Sequence, residues 1–231
     1  MNIQAIAIAL ADDLFVQCQT LSPWTVNYVD LEESLAVGSI SQELLAQGGV
    51  LYEFAGLQYA DRDKHIFQRS AADWRVSSLS FLPTDHWPDV VASAFLTTHA
   101  SRVIAEALMQ TSELAKEQLS LVWREQVHHL GHWRQWISLL LVNPETQTEI
   151  TTAVNRAIQK AGDLLPLGDD YDLLHQRWSE EIRAEFIGLG VSVTAVLVRS
   201  SRVSGGSSVE RMIKNLRVAR DPDGQSSYSI Y

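Results

Sequence analysis

Apolar side chains recur along this chain at three- and four-residue steps, with no run of the strict alternation that builds a sheet. Between residues 31 and 59 they fall at Leu35, Val37, Ile40, Leu44, Leu45, Leu51, Phe54, Ala55 and Leu57, which is one face of a helix. Asp30 with Glu33 three residues on supplies a capping pair for its start. Gly48 and Gly49 each weaken that helix by about 1 kcal/mol, or let a neighbour come close. Proline divides the rest, because a ring without a backbone donor is excluded from helix interiors. Pro23, Pro83, Pro88, Pro144, Pro166 and Pro222 leave long uninterrupted stretches, which suit helices far better than strands.

The pattern predicts helices over 3–20, 31–59, 89–110, 113–142, 145–165 and 171–198. Trp87-Pro88-Asp89, Thr111-Ser112 and Asn143-Pro144 punctuate the middle of the chain. Residues 60–84, which include Ser77, Ser78 and Ser80, form the long connection, and 167–171 a short acidic turn. The packing solution is an all-α antiparallel helical bundle in one domain, residues 1–200. Residues 201–231 differ in kind. A Ser/Gly stretch (Ser200 to Ser208) precedes Arg211, Lys214, Arg217 and Arg220, so this segment reads either as a tail with a short basic helix or as a frayed end.

Composition narrows the class. With 46% apolar and 20% charged residues, a sizeable core is available and general disorder is excluded. The net charge of −10 argues against nucleic acid or an anionic membrane as partner. Five basic and three acidic side chains in 201–231 leave −12 on the first 200 residues. A single cysteine, Cys18, excludes a disulfide framework and reads as a small core residue. No apolar run nears the ~20 residues of a membrane span. The longest, 186–198, holds Ser192 and Thr194, and residues 1–11 lack the basic start of a signal peptide. A soluble, acidic, cytoplasmic protein is expected.

There is no glycine-rich phosphate loop, no Gly-x-Ser-x-Gly elbow and no cysteine pair for zinc. The densest chemistry is Trp123 to Trp133, where Glu125 and His128 share a helix face at the spacing by which di-iron bundles present a carboxylate and an imidazole. The other pair at this spacing, Asp172 with His175, opens a helix, where Asp is favoured anyway. A di-iron centre needs two such pairs and two further carboxylates. The competing reading is a polar stripe packed on another helix, with Trp123, Trp133 and Trp136 in the core. His99, on an apolar stretch, reads as a satisfied core histidine, and Asp61 to His65 as a solvated loop.

Five stretches then acquire a common meaning: Leu10-Ala11-Asp12-Asp13 running to Trp24; Leu35 to Gln47; the loop from Phe67 to Pro83 with Asp85-His86-Trp87-Pro88-Asp89; Glu125 to Trp136; and Leu174 to Glu185 around Trp178. In order and spacing, over about residues 5–200, they resemble the phenylacetic acid catabolic family of ferritin-like proteins, most closely its C subunits. The resemblance implies a ferritin-like bundle in a multicomponent phenylacetyl-CoA epoxidase, where a catalytic A subunit carries the di-iron centre. The C subunit is a degenerate copy that binds and stabilises it, and a small B subunit and a reductase complete the system. Carried over one at a time, the metal positions of the catalytic sibling fall on Gln17, Leu44, Gln47, Thr98, Gln126 and His129, so one ligand of six survives. Glu125 and His128 stand one residue out of register, a rotation of about 100°. The resemblance thus implies no catalytic residue, cofactor or metal in this chain. The Gly- and His-bearing motif of C subunits is missing after the last long helix, where Ser204 to Val209 runs into Glu210-Arg211-Met212-Ile213. Two alternatives stand beside this: an independent di-iron oxygenase using Glu125, His128, Asp172 and His175, or a helical interaction protein outside the pathway. Trp87, Trp133, Trp136 and Trp178 are candidate interface residues, for a subunit or a second copy, and Arg62, Lys64 and Arg75 candidates for touching coenzyme A.

Overall fold

The computed structural model describes residues 2–26, 30–166 and 171–220, and among these it contains eight α-helices and two two-residue strands. Two helix pairs form the centre. Helix α1 (Ile3–Leu21) packs along α2 (Leu31–Phe54), and α4 (Trp87–Met109) along α5 (Glu113–Leu140). Contacts of α2 with α5 and of α1 with α4 close these four into a bundle, and α6 (Pro144–Lys160) and α7 (Asp172–Gly188) lie against α4. The expected all-α bundle is what forms.

The starts follow local chemistry. Asp30 Oδ1 accepts from Glu33 N–H at 2.7 Å, Ser112 Oγ from Ala115 N–H at 3.0 Å, and Asn143 Oδ1 from Glu145 N–H at 2.9 Å, each satisfying a donor the helix leaves open. A Cβ built on Gly48 would lie 3.6 Å from the Ala11 carbonyl oxygen of α1, an ordinary contact, so the approach of α1 and α2 would admit an alanine there.

Three expectations change. The helix expected over 171–198 stops at Gly188: Gly190 takes φ +89°, and Val191 N–H donates to the Phe186 carbonyl at 2.9 Å while Gly190 N–H donates to that of Ile187. This is a Schellman stop. Residues 191–200 instead run as an irregular strap held by one side chain of α6. Asn155 Oδ1 accepts from the N–H groups of Thr194 and Ala195, both at 2.8 Å, and its Nδ2 donates to Ser192 O. A Cβ on Gly162 would lie 1.7 Å from the Val198 carbonyl oxygen, so the strap requires glycine there.

The long connection 60–84 is ordered. It holds α3 (Arg62–Phe67), several 3-10 turns and strand β1 (Arg75–Val76). Asp61 to His65 is therefore not a plain solvated loop. His65 hydrogen-bonds Arg69 at 2.8 Å and meets the Tyr52 ring edge-on, and Arg62 pairs with Glu53. Strand β1 pairs antiparallel with β2 (Val203–Ser204), Arg75 opposite Ser204, which draws the segment after residue 200 onto the bundle. Helix α8 (Gly206–Arg220) then packs on α3 and the 71–73 turn, with Val209 and Ile213 buried. The acidic turn expected at 167–171 and the end of the tail, 221–231, lie outside the described residues but for Tyr171.

Among the described residues one helix is long and apolar enough to cross a membrane: the span Ile3–Thr25, not the 186–198 run that the sequence singles out. Its apolarity has an internal cause. Ala7, Leu10, Leu14 and Leu21 are fully enclosed by neighbouring helices.

Candidate functional site

Helices α2 and α5 are stitched together by polar side chains at and beside the positions implied for metal ligands. Gln126 Nε2 donates to Gln47 Oε1 at 2.5 Å, and Gln47 Nε2 donates to Glu125 Oε2 at 2.7 Å. One turn on, His129 Nε2 meets Glu43 Oε2 at 2.6 Å, and His132 meets Glu33 at 3.0 Å. Leu44 is enclosed and apolar. On the other helix pair, Gln17 Nε2 lies 3.5 Å from both Thr98 Oγ1 and Ala94 O. Gln17, Gln47, Thr98, Gln126 and His129 are all buried.

With the Glu43 carboxylate as acceptor, the His129 proton sits on Nε2, and Nδ1 is left as a lone pair with no partner among the described residues. Burial lowers the His129 pKa against the pull of Glu43 and Glu125, so the ring is neutral at pH 7. Gln17 Oε1 and Gln126 Oε1 are likewise buried acceptors without a partner among the described residues. The arrangement is one of amides and imidazoles bonded to each other and to the neighbouring carboxylates of Glu33, Glu43 and Glu125, and it cross-links the helices.

The four residues of the independent-oxygenase reading are not brought together. Glu125 stays in the α2–α5 seam, because its long side chain reaches Gln47 despite the one-residue offset, while His128 is exposed. Asp172 pairs with Arg199 at the surface. His175 is buried with Nε2 2.9 Å from the Pro166 carbonyl, its pKa lowered mainly by burial. Among the described residues no group of three or more His, Cys, Asp or Glu is placed to hold a metal ion.

His99 is a satisfied core histidine. Trp178 Nε1–H donates to its Nδ1 at 3.0 Å, so its own proton lies on Nε2, facing Glu185 at 3.3 Å. Burial pushes the Glu185 carboxyl up, but hydrogen bonds from His99 and Arg134 and the charge of Arg134 outweigh this and hold it at about 2. Its stabilisation is complete above the ordinary value of 4.5 and is lost as pH falls toward 2. Trp178→Phe leaves His99 Nδ1 unpaired beside a small void and is expected to cost about 2 kcal/mol, read from urea unfolding at pH 7. Of the candidate interface tryptophans, Trp133 and Trp178 have no exposed surface and Trp87 has 8%, so these three are core; Trp136 is half-buried and stacks edge-on against Trp87. Trp123 is half-buried too. Cys18 is buried, which raises its pKa.

Sequence reasoning missed the densest polar network, built on the adjacent Asp12 and Asp13 of α1. Asp12 accepts from Tyr52 OH at 2.9 Å, Arg69 Nη2 at 2.6 Å and Arg75 N–H at 3.1 Å. Asp13 accepts from Ser77 N–H at 2.8 Å and pairs with Arg202 at 2.6 Å, and Asp163 receives Ser77 Oγ, Ser78 N–H and Ser78 Oγ. Two neighbouring acids in an apolar helix were the available signal, since a buried charge must find a partner.

A comparison with curated proteins finds no match. A family profile described as phenylacetic acid catabolic protein matches residues 2–194. Over that span the helices, the paired acids of α1 and the α2–α5 seam are one continuous bundle, and the chain belongs to the phenylacetic acid catabolic protein family.

Proposed function

We propose that the chain is the structural, non-catalytic C-type subunit of a phenylacetyl-CoA epoxidase in aerobic phenylacetate degradation. It acts in the cytoplasm, binding and stabilising the di-iron A subunit, with the small B subunit as a further partner. One observation carries this reading. The side chains at the implied metal positions are amides, a leucine, a hydroxyl and one imidazole, and the polar ones already bond to each other or to adjacent groups. Two irons need several negative charges among their ligands, and neutral donors do not supply them. These residues do not fit a di-iron centre, so no catalytic step is assigned to them.

Co-expression with the A and B subunits of such an epoxidase is the direct test. One co-eluting peak on size exclusion at micromolar concentration is expected, with about two irons per A subunit and none accompanying this chain alone after anaerobic loading. Separate peaks would sink the subunit reading. Two irons on the isolated chain would instead establish an oxygenase in its own right.

A further inference from the structure

One opening lies away from the α2–α5 seam. A groove of about 480 Å³ runs between the end of α1, the 80–84 segment and the first turn and a half of α8, a volume within the range of small-molecule sites. Val16, Phe81, Leu82, Pro83 and Met212 give it apolar walls. Arg211 stands at its side, exposed, with no carboxylate paired to it among the described residues.

The groove continues inward. Val16, Thr20, Ser80 and Thr84 line both it and a second chamber of about 30 Å³, the volume of one water molecule or one ligand hydroxyl. Gln17 and Ser93 line that chamber, and each has a buried oxygen, Oε1 and Oγ, with no hydrogen-bond partner among the described residues. A buried acceptor left unpaired is costly, so a donor arriving there is favoured.

We infer that this groove binds a small amphipathic anion. Its aromatic or alkyl body lies between Val16, Phe81 and Met212, its carboxylate or sulfonate pairs with Arg211, and a water or hydroxyl donor in the inner chamber satisfies Gln17 and Ser93. The site is separate from the subunit function proposed above and stands or falls independently of it.

The full chain, titrated with 8-anilinonaphthalene-1-sulfonate by fluorescence and with 4-phenylbutyrate by calorimetry, should bind both at one competing site. Arg211→Gln should weaken the anions about tenfold, and the neutral 4-phenylbutanol should bind about tenfold more weakly than phenylbutyrate. Val16→Trp, which fills the groove, should abolish binding; Arg211 is exposed, so its variant reads the site even if the tryptophan perturbs folding. Arg124→Gln, an exposed change on α5, should leave binding as it was. No saturable binding at millimolar ligand, equal binding by the alcohol, or unchanged binding by Arg211→Gln would each overturn the inference.

Discussion

Arg202→Ala is expected to destabilise the protein by about 4 kcal/mol and to free the strap and α8 from the bundle. Arg202 is largely enclosed and reaches four acceptors: Asp13, and the carbonyls of Ala9, Arg75 and Leu164. Without it three carbonyls lose a donor, and the Asp13 carboxylate, 3% exposed, keeps only the Ser77 N–H. A melting temperature lower by roughly 8–16 °C would follow for a chain of this size. Trypsin should cut first between residues 199 and 214.

The pH dependence separates this cause from simple loss of packing. Burial raises the Asp13 pKa, and Arg202 with the Ser77 N–H only partly reverses this, leaving it at about 6 against an ordinary 3.8. The folded state therefore binds the Asp13 proton more tightly than the unfolded chain does. The stabilisation from that proton is complete below 3.8 and is lost as pH rises through about 6. Removing Arg202 raises the Asp13 pKa further, so the deficit of the variant should be largest at pH 8 and shrink toward pH 5. Adding Asp13→Asn should recover part of the loss at pH 8. A pH-independent deficit would show that packing, not the buried charge, dominates.

Gln126→Glu is the second large effect, expected at about 4 kcal/mol at pH 8. Gln126 has no exposed surface, and its amide donates to the Gln47 oxygen with Glu125 beyond. A carboxylate there faces an acceptor, sits one helix position from another acid and has, among the described residues, no cation paired at that position. Full burial raises a carboxyl pKa by roughly 3–5 units, at 1.36 kcal/mol per unit. The penalty belongs to the charged form and the unfolded carboxyl ionises at about 4.3, so it should shrink to about 1 kcal/mol at pH 5 and grow to about 4 kcal/mol at pH 8, read as the shift in urea midpoint. Iron(II) added anaerobically should not restore the midpoint. Restoration by iron would show a competent metal site and remove the basis for a non-catalytic subunit.

Where local chemistry decides structure, the sequence was readable. Asp30, Ser112, Asn143 and Pro88 mark helix starts with their own side chains, and the starts fall where expected. Gly190 offered the same kind of signal, and the β-branched run after it obscured the stop. The strap, the β1–β2 pair and the docking of α8 depend on contacts such as Asn155 with Ala195 or Arg75 with Ser204, and no local pattern encodes those. The site divides the same way. Resemblance supplied the register of Gln17, Gln47, Thr98, Gln126 and His129, but not their partners. Glu43 precedes Leu44 as Glu125 precedes Gln126, and that shared offset was the clue that the two carboxylates would reach across to His129 and Gln47.

The Arg202–Asp13 pair also bears on how the chain is made. Synthesis runs from the N-terminus at about 5–20 residues per second, so Arg202 appears roughly 10–40 s after Asp13. Throughout that interval α1 carries an acid destined for burial and no cation to meet it. Helix α1 must wait for a segment made long after it. A ribosome-bound chain halted before residue 202 should therefore hold α1 loosely and offer its apolar face to a chaperone.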